Sequence, residues 1–163
     1  MRRKRAPVRA CGGCTACCKT HEVRKVLKKP PGEWCTHCEQ GVGCHIYETR
    51  PQPCKVYECA WAQGHGTEAE RPDKCGVVVD VQRTPNQHLA FVCIWEVEEG
   101  EVEKEYAQQQ RKWYLNHGMC VLFVRLQGSR TVTFPLEVPF TQALKDDFLA
   151  LGVTRLQRLQ RVG

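Results

Sequence analysis

The chain has 163 residues, room for one ordinary domain or two small ones, with 24 Lys or Arg against 18 Asp or Glu for a formal charge of +6. Its longest apolar run, residues 89–95, is far short of the ~20 residues that a membrane helix needs. The basic N-terminus passes into cysteines with no apolar segment of the kind an export signal uses, so a soluble, cytoplasmic protein with no membrane partner is expected.

In chain order, residues 1–10 form a basic arm, with Arg2, Arg3, Lys4 and Arg5 in sequence, predicted to be a disordered tail. Residues 11–62 come next, and residues 11–59 hold nine of the twelve cysteines with Gly and Pro interspersed. No sustained apolar period runs through them, so this module buries little core of its own. In a reducing compartment, close thiols point to metal or redox chemistry rather than disulfides. Metal ligation supplies ~10 kcal/mol or more to small zinc modules, enough to hold such a segment together.

Residues 63–75 read as a linker, and residues 76–163 as an α+β domain. The β-branched and aromatic runs 76–83 and 88–95, joined by Thr84-Pro-Asn-Gln87, predict a hairpin. Residues 98–116 predict a helix with Val102, Tyr106 and Trp113 on one stripe and a stop at Gly118. A second hairpin follows over 119–126 and 130–134. Thr141 caps a C-terminal helix with Leu144, Phe148 and Leu151 inward; after Gly152, the spacing of Leu156, Leu159 and Val162 is again helical. The expected fold class is α+β: a small irregular Cys-rich metal-binding module, then a ββαββ antiparallel sheet layer with helices on one face and a C-terminal helix.

The thiol spacing carries the chemistry. Cys11, Cys14 and Cys17 repeat Cys-x-x-Cys twice, the spacing at which a curled backbone turns two sulfurs toward one point. Cys17 and Cys18 are adjacent, and neighbouring side chains diverge, so one of them belongs most simply to a second site. Two closed four-coordinate shells need about eight ligands. Cys35, Cys38, Cys44, Cys54 and Cys59 complete the supply.

The vicinal Cys-x-x-Cys-x-x-Cys-Cys at 11–18, followed by Trp34-Cys-Thr-His, Gly43-Cys-His-Ile-Tyr-Glu-Thr-Arg-Pro-Gln-Pro-Cys54 and Tyr57-Glu-Cys-Ala-Trp61, resembles the CxxCxxCC family of zinc- or iron-chelating proteins, often called YkgJ-like. The resemblance covers residues 11–62. It implies metal or iron–sulfur binding, with Cys11, Cys14, Cys17, Cys18, Cys35, Cys44, Cys54 and Cys59 on the family's cysteine pattern. Cys38 falls where that pattern varies between Leu and Cys, and stands as a ninth candidate. A related cluster in flagellin lysine methylases points to cluster-assisted group transfer as one alternative function.

Other residues have plainer readings. Cys75, Cys93 and Cys120 sit at or in strands and read as small buried hydrophobes. His37 and His45 flank cysteines and could replace a sulfur ligand, although a neighbour in sequence tends to point away, while His21, His65, His88 and His117 lack partner spacing and read as surface or packing residues. Arg50 reads either as a turn residue before Pro51 or as a donor to thiolates. Residues 1–29 carry ten Lys or Arg against one Glu. Lys19, Arg24, Lys25, Lys28 and Lys29 are expected to offset thiolate charge. A zinc-dependent nucleic-acid or protein adaptor is the other alternative. No nucleophilic triad, P-loop or radical-SAM cysteine spacing is present, and no catalytic residue is assigned. All-cysteine shells suit zinc and iron–sulfur clusters alike.

Overall fold

The computed structural model describes residues 9–160, so residues 1–8 of the tail expected over 1–10, and the position of Val162, lie outside it. The first third contains only short elements: α1 (Ala16–Thr20), α2 (Arg24–Leu27), β1 (Cys38–Glu39), β2 (Gly43–Cys44) and α3 (Gln52–Val56). α4 (Pro72–Cys75) leads into β3 (Val77–Arg83) and β4 (Ala90–Glu96). Then come α5 (Glu105–Asn116), β5 (Cys120–Val124), β6 (Arg130–Phe134), α6 (Gln142–Ala150) and β7 (Arg155–Arg158). The fold is α+β, and no helix among the described residues is long and apolar enough to cross a membrane.

The sheet has five strands in the order β3-β4-β5-β6-β7, and it is mixed rather than antiparallel. β3 and β4 form the expected antiparallel hairpin, with Val77 opposite Glu96 and Arg83 opposite Ala90. The twelve residues of α5, about 18 Å of helix, carry the chain back to its starting end. β5 therefore runs parallel to β4, with Phe91 opposite Cys120. β5 and β6 pair antiparallel, and α6 makes the second return, setting β7 parallel to β6.

The C-terminal segment thus corrects its helical expectation: residues 155–158 extend the sheet. Gly152, at φ +78°, ends α6, and Thr154 donates its N–H to Arg130 O at 2.8 Å. An open strand edge captures a four-residue segment more readily than one turn of unsupported helix forms.

The two returns lie on opposite faces, a second correction. α5 covers Val77, Val79, Val92, Ile94, Val121 and Phe123 with Ala107 and Leu115. α6 covers Phe91, Leu122, Val132 and Phe134 with Leu144 and Phe148. Burial on both faces is what the unbroken apolar runs of β4 and β5 require. α5 begins at Glu105 rather than at 98, because Gly100 at φ +86° starts a separate 3-10 turn over Glu101–Glu103 that buries Val102. Trp113 consequently leaves the inner stripe; it is 54% exposed and stacks on His117.

The cysteine segment packs on the α6 face of the sheet. Ala16 belongs to that core, and Cys14, Tyr57 and Cys59 pack against it. Ala60 donates its N–H to Val79 O at 2.7 Å, against the outer edge of β3. Arg9, read from sequence as tail, is held instead: its guanidinium donates to the carbonyls of Trp61, His65 and Gly66 and lies over the Trp61 ring. The stretch 63–75 carries a 3-10 turn at Glu68–Glu70, closed by a Thr67/Glu70 capping box, and then α4.

Candidate functional site

Short-range backbone contacts tie together several of the nine cysteine positions. Cys14 donates its N–H to Cys11 O at 2.9 Å, closing the Cys-Gly-Gly-Cys loop. Gly13 lies so near the β1–β2 turn that a Cβ there would come within 2.7 Å of Gly41 O. From the other side Gly41 N donates to Thr15 Oγ1 at 3.1 Å. α1 carries Cys17 and Cys18, and Cys35 N reaches Cys18 O at 3.1 Å. Cys38 N bonds Cys35 O, and Cys38 pairs directly across the ladder with Cys44. Pro51 and Pro53 start α3, which presents Cys54.

All twelve cysteines are free thiols. Cys93 and Cys120 are fully buried, as expected of core residues. Cys75 is half-buried, its thiol donating to Glu70 O and Val77 O. The nine thiols of residues 11–59 are all partly or fully exposed, a different class of environment.

Six of the nine are raised, by burial and by the charges of other thiols, Cys17, Cys35 and Cys44 among them. Cys18 shares a hydrogen bond with the Cys17 thiol; that bond, then burial, then the charge of Cys17 push the Cys18 thiol well above its ordinary range, against a downward pull from Cys38 and Lys29. Burial, then Cys18, pushes Cys38 up to about 12. Burial raises Cys54 too, followed by the charges of Cys18, Cys35 and Cys44. Cys11 is raised by burial, pulled down by Arg50 and raised again by Cys18. Cys14, at about 11 from burial, faces Asp73 and Cys11, while Cys59, raised by burial, feels Cys11 and Asp80. The thiols are collected without being closed around a point: among the described residues no group of three or more His, Cys, Asp or Glu is arranged so that it could hold a metal ion.

The cations sort themselves unevenly. Lys19 turns to Glu98 at 2.7 Å, Arg24 pairs with Glu22, and Lys25 and Lys28 are exposed. Lys29 is the one of the five whose charge couples to the thiols. It is 6% exposed, and its ammonium donates to the carbonyls of Lys19 and Pro30 at 3.0 Å and to that of His21. Burial lowers its pKa, opposed by the charges of Cys35, Cys18 and Cys17, and then Glu33. Arg50 stacks over Tyr47 at 3.7 Å, and its buried Nε has no hydrogen-bond partner. Cys11 and Cys44 are the thiols whose charge it feels.

His37 and His45 stay off the thiols in any bonded sense, His45 lying 3.6 Å from Glu39. Of the two readings of His21, surface or packing, the structure takes packing, and it adds a polar contact: Nε2 pairs with the buried carboxylate of Asp80 at 2.9 Å. A lone carboxylate inside the apolar run Val77–Val81 is the sequence signal that marks this contact. No protein-family model, curated protein or solved structure matches this chain.

Proposed function

We propose that residues 11–59 form a thiolate cluster that binds zinc or an iron–sulfur cluster and serves metal handling or electron transfer. The observation that carries this reading is Lys29. A buried ammonium costs several kcal/mol to desolvate, and here it donates to three carbonyls, forms no ion pair with a carboxylate among the described residues, and has its positive charge favoured by Cys35, Cys18 and Cys17 and then by Glu33. Such a cation suits a site that becomes anionic, as a multi-thiolate metal centre does. The partnerless Nε of Arg50, whose positive charge Cys11 and Cys44 favour, supports the same charge state, since thiolate sulfur accepts from a guanidinium.

On the cysteine pattern, Cys11, Cys14, Cys17, Cys18, Cys35, Cys38, Cys44, Cys54 and Cys59 are the ligand pool, more than one four-coordinate shell requires. A bound metal supplies Lewis acidity or one-electron chemistry, depending on its identity. The chain's own residues supply soft donors, positive counter-charge and a sheet to rest on. The resemblance to the CxxCxxCC family supports the same ligand class.

Purification without oxygen, followed by metal and sulfide analysis, tests the reading. Brown protein containing inorganic sulfide indicates a cluster; colourless protein with bound zinc indicates a zinc site. Cys14→Ala and Cys54→Ala should lower the bound metal, and Cys93→Ala should leave it unchanged. Full metal content in all three variants, or a wild-type chain that binds none, refutes the proposal.

A further inference from the structure

Asp80 sits mid-strand in β3 and is 4% exposed. Its Oδ2 accepts from Tyr57 Oη at 2.8 Å, His21 Nε2 at 2.9 Å and Trp95 Nε1 at 3.1 Å, and its Oδ1 from Gln82 Nε2 at 3.1 Å. The His21 ring packs against both Tyr57 and Trp95, with centroids 4.3 and 4.4 Å away, and its Nδ1 pairs with Thr20 Oγ1 at 2.7 Å. Two of the four partners come from the cysteine segment rather than from the sheet.

Those two lie close in the chain to candidate ligands. His21 donates its N–H to Cys17 O at 3.2 Å, closing α1 directly behind Cys17 and Cys18. Tyr57 lies two residues before Cys59, and the residue after Cys59 is tied to Val79, the strand neighbour of Asp80. One carboxylate therefore fixes the vicinal pair and the most distal cysteine relative to a single strand.

We propose that Asp80 is a positioning residue for the cysteine cluster, setting Cys17, Cys18 and Cys59 in a common frame before metal arrives. The inference rests on the metal-binding reading above. An apolar residue would serve stability at least as well, because a buried charge costs desolvation that its partners only offset. What a carboxylate with four directed donors adds is orientation. Outer hydrogen bonds of this kind set ligand geometry, and their loss typically costs 10–100-fold in metal affinity. Ligands ordered in advance also lose less entropy on binding.

The test uses the full chain, reduced and metal-free, titrated with Zn²⁺ against a chromogenic chelator. Asp80→Asn should bind the same number of zinc ions as wild type with about 10–100-fold weaker affinity. The Co²⁺-loaded variant should show a ligand-field spectrum shifted from the wild-type one, a signature that a purely structural role would leave unmoved. Tight wild-type binding together with an Asp80→Asn affinity within twofold of it removes the positioning role and leaves the metal reading standing. A wild-type chain that takes up no zinc and no iron removes both. Should Asp80→Asn fail to fold by circular dichroism, Tyr57→Phe decides: loss of its one hydroxyl should weaken zinc binding about fivefold, and unchanged affinity overturns the proposal.

Discussion

The carboxylate of Asp147, on α6, accepts the backbone N–H of Gln87 at 2.8 Å, so that the helix grips the turn between β3 and β4. The same carboxylate takes the N–H and the side-chain amide of Asn86 at 3.1 and 2.7 Å. Desolvation pushes its pKa up, but donation from Gln87, Asn86 and Thr84 outweighs this and holds it below the usual 3.8. An acid depressed in the folded state adds stability above its unfolded pKa and loses it as pH falls through the folded value. Urea unfolding of wild type between pH 5 and pH 2 should therefore show an acid limb that Asp147→Ala flattens. Equal slopes for the two proteins would refute the assignment.

Lys29→Met keeps the aliphatic stem and removes the ammonium, leaving the carbonyls of Lys19, His21 and Pro30 without that donor. The metal-free protein should lose about 1–3 kcal/mol, read from urea unfolding. Zinc affinity should fall as well, since the positive charge that couples to Cys17, Cys18 and Cys35 is gone. A variant as stable as wild type, with wild-type affinity, would show that the ammonium is incidental.

Phe148 is fully buried and meets Phe91 and Phe134 edge-on, with centroids 5.1 and 5.3 Å away. Phe148→Ala should cost about 3–5 kcal/mol by chemical denaturation. Leu149→Ala, one residue on and 50% exposed, should cost far less. Similar losses at both positions would mean that α6 is seated differently on the sheet.

Hydrogen exchange separates the C-terminal end of the cysteine segment from its middle. The amide of Ala60 bonds to Val79 in the sheet, whereas those of Val42 and Tyr47 bond within the segment, to Glu39 O and Cys44 O. After chelation Ala60 should stay protected while Val42 and Tyr47 exchange rapidly. Equal loss of protection at all three amides would show that the segment depends on metal for its docking as well as for its interior.

Much of this architecture is legible in local pattern. The runs 76–83, 88–95, 119–126 and 130–134 identify four of the five sheet strands because β-branched density is a local property. Thr141 identifies the start of α6 because its hydroxyl accepts from Leu144 N three residues on. Strand direction was not legible, because it depends on where a helix returns the chain, and two helical returns made parallel pairs of β4–β5 and β6–β7. The fifth strand escaped because Leu156 and Leu159 keep helical spacing, while an open edge on β6 decided their conformation. Among the charged residues, Lys29 differs from Lys28 only in the backbone: Lys28 takes φ +50° at the end of α2 and stays exposed, and the next side chain is the one turned inward. The link between Asp80 and His21 spans 59 positions, and no periodicity reports a contact of that length.

The sheet's two outer margins also set how copies of this chain meet one another. Beside β3, the backbone of Ala60 already occupies Val79 O. Beside β7, Arg155 and Arg158 are both exposed on a strand of only four residues. Two molecules docking margin to margin through β7 would bring four guanidinium groups together along one short ladder. Like charges at that spacing repel, so this edge is expected to disfavour growth into extended intermolecular sheets, and less so as salt is raised.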